Sequence, residues 1–296
     1  MAQGNLVILA AQIGDFVNQI LQRQTQAVLS GISSRGIYLQ PPGDWTLFIS
    51  WERFHGPLTI NIAGKPDPLN IIQPGSEARL NLREIIFPGD KIQIYLGEAN
   101  IWHSPPPPIK TDINTRQVEI IIQDALRLAK ENPYLSLLEG ILPGNQIPLP
   151  EIAGFDACLD PFLDRLEEKN LDQALNHLSG LIGLGPGLTP LGDDFLLGVI
   201  LTLNRWQYSL FPEHNIEKLN QSLLKSISEK TTTLSASLLA CGAEGIADER
   251  LIRVLDSFFG EDDLKPGIVE ELLSWGSSSG IAVLAGMIAV VTRLPR

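Results

Sequence analysis

The residues best suited to chemistry stand together in one segment, Gly183-Leu184-Gly185-Pro186-Gly187-Leu188-Thr189-Pro190-Leu191-Gly192-Asp193-Asp194. Glycine lets backbone N–H groups turn inward and approach a ligand closely, and a helix start adds a positive dipole end that suits phosphate or carboxylate. Two adjacent carboxylates would repel a bare anion. They make sense where they hold a cation such as Mg²⁺, accept hydrogen bonds from an amide or amine, or act as a base. Asp193 and Asp194 are therefore the candidate catalytic pair and the candidate Mg²⁺ ligands. Gly185, Gly187, Thr189 and Gly192 are candidate ligand-binding positions. No Gly-Lys-Ser/Thr follows and no strand precedes the segment, so it is neither a P-loop nor a dinucleotide fingerprint.

A plainer reading needs no ligand. Thr189 followed by Pro190 is a natural helix start, with the hydroxyl capping an orphan N–H and proline at the first helical position. Asp193 and Asp194 then complement the helix dipole from the first or second turn. Capping uses one or two residues, however, and leaves the glycines unexplained. An internal echo adds weight to the functional reading. Thr189-x-x-Gly192-x5-Gly198 is matched by Ser277-x-x-Gly280-x5-Gly286, each running into an apolar helix, with Ile281 and Ala282 where the first copy has Asp193 and Asp194. Two related helix starts would face a common pocket, one acidic and one rich in hydroxyls, which brings in Ser277 and Ser279. Thr231-Thr232-Thr233 with Ser235 offers further hydroxyls, of which Thr232 and Ser235 are the candidates. His55, in Phe54-His55-Gly56-Pro57, is a candidate acid–base group because imidazole titrates near neutrality. His103, His177 and His214 are isolated, and Glu261-Asp262-Asp263 reads as a solvated acidic turn.

The elements that must position these residues fall into two grammars. From Ser34 to about His103, short β-branched and aromatic runs such as Trp45–Trp51, Pro57–Ile62 and Lys91–Leu96 alternate with Pro/Gly/Asp turns. That pattern predicts a small antiparallel sheet or barrel. Ahead of it, Ile13, Phe16, Val17, Ile20 and Leu21 recur at helical spacing within residues 5–30. The four prolines Pro105 to Pro108 can neither join a ladder nor continue a helix, and they mark a linker over 105–112. Helical periodicity dominates afterwards, with a second weak linker over 141–150. The expected fold class is α+β: a β-rich domain over 1–104, then a mainly α-helical domain over 113–296 that carries the glycine-rich turn.

Composition bounds the function. The chain has 296 residues, 44% hydrophobic and 19% charged, enough apolar content for a sizeable core. Its formal net charge of -12 repels phosphate backbones and anionic lipid, which argues against nucleic acid or a membrane as partner and leaves a small anionic metabolite bound at one loop. Two cysteines, Cys158 and Cys241, make no disulfide framework and no zinc pair, and read as buried thiols of a reducing cytosol. The N-terminus lacks a basic region ahead of its apolar stretch, and the apolar run Ile281–Val291 is shorter than the ~20 residues that span a bilayer. A cytoplasmic protein is expected.

The string from Gly183 to Gly198 resembles the signature of a bacterial family whose best-known member is a subunit of the oxamate carbamoyltransferase of anaerobic allantoin degradation. Tyr38-Leu-Gln-Pro-Pro-Gly-Asp-Trp-Thr-Leu-Phe-Ile, with His55-Gly56-Pro57, looks like that family's N-terminal strand region. Thr231-Thr232-Thr233-Leu-Ser235 and Gly276-Ser277-Ser278-Ser279-Gly280 look like its later motifs. The resemblance implies a part in carbamoyl transfer between oxalurate, phosphate, oxamate and carbamoyl phosphate, in a complex with other subunits. It implies backbone N–H groups for the developing oxyanion and an aspartate that positions the attacking nitrogen or holds a metal. A dicarbonyl anion suits an arginine fork, for which Arg35 and Arg53 are candidates. The chain departs from the family in having Leu191 where a small polar residue, usually serine, follows the Thr-Pro. It also lacks the Ser-Thr-Arg-Thr phosphate loop of ordinary transcarbamoylases, of which Ser33-Ser34-Arg35-Gly36 is a weak reminder.

Overall fold

The computed structural model describes residues 6–64, 72–87, 92–107, 111–142, 144, 154–212, 216–260 and 264–293. It divides into two compact units, Met1–Pro105 and Pro106–Arg296.

The first unit is built from β1 (Leu6–Gly14), α1 (Asp15–Arg23), β2 (Gln26–Ile32), β3 (Gly36–Gln40), β4 (Leu47–Ser50), β5 (Thr59–Ile62), β6 (Glu77–Leu80), β7 (Glu84–Ile86), β8 (Ile92–Tyr95) and β9 (Asn100–Trp102). Neighbours run β5-β4-β3-β2-β6-β7-β8-β1, and β1 pairs with β5, closing an eight-stranded barrel. Closure removes the exposed edges that an open sheet would leave. The barrel is mixed rather than purely antiparallel, because β4–β5 and β1–β8 pair in parallel. β1 is long enough to serve two strands on one edge. Leu6 to Leu9 face β8 and Gln12 to Gly14 face β9, both parallel. The β1–β5 register shifts between Ala10 and Gln12, a bulge that bends β1 between its two partners.

Helical spacing over residues 5–30 holds only for Asp15–Arg23, and strands flank it on both sides. The physical reason is local. Along β1, Ile8 and Ala10 are buried while Val7 and Leu9 are exposed, the alternation of a strand whose outer face is itself apolar. Apolar residues on both faces mask a period of two. α1 starts against the chain before β5, where the amides of Phe16 and Val17 donate to the Pro57 carbonyl at 3.2 and 3.3 Å. Its last turn is tied by Arg23, whose guanidinium donates to both carboxylate oxygens of Asp44 at 2.6 and 2.7 Å.

The second unit contains α2 (Thr115–Leu128), α3 (Leu135–Ile141), α4 (Phe155–Glu167), α5 (Leu171–Leu178), α6 (Leu191–Arg205), α7 (Gln207–Leu210), α8 (Ile216–Lys230), α9 (Thr233–Ala243), α10 (Glu249–Ser257), α11 (Ile268–Leu273) and α12 (Ser279–Arg293). Two of them form its centre. α6 is buried at almost every position, and α12 from Ser279 to Val291. A helix apolar all round has no solvent face and must sit inside the core. None of the described helices is long and apolar enough to cross a membrane. Amphipathic helices surround the pair: α10 turns Leu251, Ile252, Val254 and Leu255 inward, and α5 does so with Leu171, Ala174, Leu175 and Leu178. Cys158 is partly buried and Cys241 buried, and among the described residues neither is in a disulfide. The acidic turn 261–263 and most of the second linker, 143 and 145–150, lie outside the described residues, as do 108–110 of the proline-rich stretch.

Candidate functional site

The two central helices meet glycine to glycine. A β-carbon on Gly198 would stand 2.0 Å from the Val283 carbonyl oxygen and 3.0 Å from the Met287 nitrogen. One on Gly286 would stand 2.1 Å from the Phe195 oxygen and 3.0 Å from the Val199 nitrogen. Val283 and Met287 hold the same places around Gly286 that Phe195 and Val199 hold around Gly198, so the contact has local two-fold symmetry. The echo read from the sequence is thus a packing symmetry, with glycine at both crossing points because backbone meets backbone. The helix starts are also neighbours: the Thr189 and Ser279 hydroxyls hydrogen-bond at 3.1 Å. With both starts together and the middles in contact, α6 and α12 run in the same direction. Their positive dipole ends therefore lie side by side, an arrangement that negative charge or acceptor atoms at that end relieve.

A third helix start joins them. Thr232 caps α9, its hydroxyl accepting the Ser235 amide at 3.1 Å and donating to the Leu188 carbonyl at 2.6 Å. Thr231 donates through its hydroxyl to Asp193 Oδ2. Asp193 Oδ1 accepts the Gly183 amide at 2.8 Å. The glycine-rich turn is therefore fastened at Gly183 and Leu184 by α6, at Leu188 by α9 and at Thr189 by α12. Gly183, Gly185 and Gly187 all have φ in the left-handed region, at +78°, +108° and +108°. A side chain on Gly183 would run into the Lys230 carbonyl, with its β-carbon 2.3 Å away. Gly192 lies against the Leu181 carbonyl, 2.1 Å from where its β-carbon would be, and so serves close packing of the turn onto α6.

The helix begins at Leu191, with Pro190 in the capping position and no side-chain cap. Thr189 is one residue too early to cap it, and its hydroxyl is spent on Ser279 instead. Both aspartates lie in the first turn of α6 and are buried, at 2% and 3% exposure. Burial raises the Asp193 carboxyl above the usual carboxylate range, opposed by the Thr231 hydroxyl, the Gly183 amide and the Ser235 hydroxyl. Burial pushes Asp194 up to about 8, helped by the charge of Asp193 and opposed by the hydroxyls of Ser279 and Thr189. The Ser235 hydroxyl is buried beside Asp193 and is one of the groups that oppose the rise. The adjacent carboxylates thus differ in character. Asp193 is an anchored acceptor with both oxygens engaged, and Asp194 is a carboxyl held toward its protonated form near neutral pH.

Thr189, Asp193, Asp194, Thr232, Ser235 and Ser279 are assembled at these three helix starts. Ser277 is an exposed turn residue ahead of α12. His55 and Arg35 belong to the barrel unit, where His55 stacks on Trp102 at 6.2 Å between ring centres and Arg35 lies 3.6 Å from Glu52. Among the described residues, no group of three or more His, Cys, Asp or Glu side chains is placed to hold a metal ion. A Mg²⁺ ion at the two aspartates would have to share Asp193 with its two protein donors. Sequence reasoning missed the tie between Asp193 and Thr231. It also missed the ion pair that ends α6, in which the buried Arg205 donates to both oxygens of Asp256 at 2.6 and 2.7 Å. A lone arginine closing the long apolar run of α6 was the available signal for the second, since a buried charge needs a partner.

No solved structure matches the chain. Residues 181–291 match the family model described as oxamate carbamoyltransferase subunit AllH. That segment opens just before the glycine-rich turn and ends within α12, so the part of the chain that is similar to this family contains all three helix starts.

Proposed function

We propose that the chain is a subunit of a carbamoyl-transferring complex that binds a small carboxylate, carbamoyl or acyl-phosphate ligand at the Gly183–Asp194 turn. The observation that carries this reading is the convergence of the α6, α9 and α12 starts on two buried carboxyls inside the family-matched segment. Helix starts supply N–H groups and positive dipole ends for a developing oxyanion, and they need no reorganisation during reaction. Asp194 is the group we assign to proton exchange with the ligand nitrogen. Asp193, with both oxygens taken by Gly183 and Thr231, is a positioning residue that holds the turn and the α9 start in place.

The test is turnover in a complex reconstituted with its partner subunits, using carbamoyl phosphate and oxamate. Asp194→Asn keeps the shape of the side chain and removes its proton exchange. We expect a loss of at least about 100-fold in kcat with assembly intact, in line with removal of a general acid–base group. Full activity in that variant would refute the catalytic assignment. It would favour a second reading, a metabolite-binding subunit without turnover, which the saturation of Asp193 by protein donors supports.

A further inference from the structure

Leu188 is 52% exposed, although its backbone is held from both sides. Its carbonyl accepts the Thr232 hydroxyl at 2.6 Å, and the hydroxyl of the next residue, Thr189, is hydrogen-bonded to that of Ser279 at 3.1 Å. Folding therefore fixes an apolar side chain in water. An exposed leucine on a loose loop needs no explanation, but one fixed in place has already lost the chain entropy that docking would otherwise cost.

The surface around it is built from the same three turns. Pro186 and Gly187 are exposed beside Leu188, as are Thr233 at the start of α9 and Ser277 ahead of α12. Residues 183–192, 231–236 and 276–280 contain no Asp, Glu, Lys or Arg, in a chain whose net charge is -12. Charge resumes at the border, where the exposed Glu229 and Lys230 close α8. Asp193 and Asp194 lie beneath this surface and are buried.

The lack of charge says what fits here. In a two-fold contact every group near the axis meets its own copy, so a charged residue there would face like charge. A hydroxyl both donates and accepts, and leucine packs on leucine, so each kind of group on this surface can pair with itself. An unlike partner of an acidic protein gains from cations set against acidic groups, and this surface offers it none. We infer that the turn end of the helical unit is a dimer interface, on which a second copy of this chain docks with Leu188 close to a two-fold axis. Nothing in this depends on ligand chemistry at the turn.

Sedimentation velocity of the full chain, from about 100 µM down to about 0.1 µM, reads the association. A reversible monomer–dimer equilibrium is expected. It should tighten as salt is added, since salt screens the repulsion between two acidic copies and finds no charge pair at the contact to weaken. Leu188→Asp sets like charges face to face and is expected to weaken the dimer at least about 100-fold. Its side chain is exposed, so the melting midpoint of the dilute, monomeric chain is expected to hold. Ser277→Glu should act in the same direction from the neighbouring turn. Leu9→Asp, on the outer face of the barrel at 59% exposure, is expected to leave association unchanged. A chain that stays monomeric at every concentration would overturn the inference. So would a dimer that salt dissociates, one that survives both Leu188→Asp and Ser277→Glu, or one that Leu9→Asp breaks. Binding of a different subunit at this surface by a chain that does not self-associate would overturn it too, and would leave the small-ligand reading standing.

Discussion

Adjacent aspartates on one helical turn have been given opposite tasks by their neighbours. Asp193 sits between the Gly183 amide and the Thr231 hydroxyl, and Asp194 faces hydroxyls that do not offset its burial. The difference has a thermodynamic consequence. With its folded value raised to about 8 from 3.8, Asp194 keeps its proton in the native state over a range where the unfolded chain has lost it. Between those values the native state binds more protons, so the Asp194 contribution to stability falls as pH rises from about 4 to about 8. The melting midpoint is expected to decline across that window, and Asp194→Asn is expected to flatten the decline, as a thermal-denaturation series against pH would show. An equal decline in the variant would mean that Asp194 is not the group responsible. The residue-scale pattern was half legible: two carboxylates at a glycine-rich helix start are visible in the chain order. Which one is anchored was not, because Thr231 lies far away in sequence and only folding brings it to Asp193.

At the scale of elements, the site depends on how closely α6 and α12 approach. Their crossing is set by Gly198 and Gly286, each facing the other helix's backbone, and the Thr189–Ser279 contact lies at the helix starts ahead of it. Gly286→Ala places a β-carbon where the Phe195 oxygen leaves no room, so the helices must separate. A loss of about 2–3 kcal/mol, measured by denaturant unfolding, is expected from overpacking at such a contact. Ligand affinity should fall with it, because the starts of α6 and α12 move apart. At the other end of α6, Arg205 is closed off by Asp256, which also accepts the Trp206 indole N–H at 3.1 Å. Asp256→Ala would leave a buried guanidinium without its counter-charge, and about 3 kcal/mol of destabilisation is expected. A change below 1 kcal/mol would mean that water or a backbone carbonyl compensates for the lost carboxylate. Helix identities were readable from the apolar spacing, and the paired glycines were readable as an echo. That the echo is a crossing point of parallel helices followed only from packing.

On the scale of the whole molecule, the α+β order of a β-rich unit and then a helical one was written in composition. Short β-branched runs broken by Pro, Gly and Asp cannot sustain helices, and the proline run separates the two grammars. Closure of the barrel was not determined locally. It needs β1 to pair with β8 and β9 along one edge and β5 along the other, and such non-local pairings leave no mark in a window of ten residues. The same limit applies to the functional turn. By itself the sequence determined that a bare, flexible backbone leads into a helix bearing two carboxylates, since glycine, proline and aspartate carry those preferences wherever they stand. Tertiary structure alone decided that three helix starts meet there, that one aspartate is spent on holding the turn, and that the other is kept near its protonated form. Burial and long-range hydrogen bonds set those properties, and both arise only when distant segments of the chain are brought together.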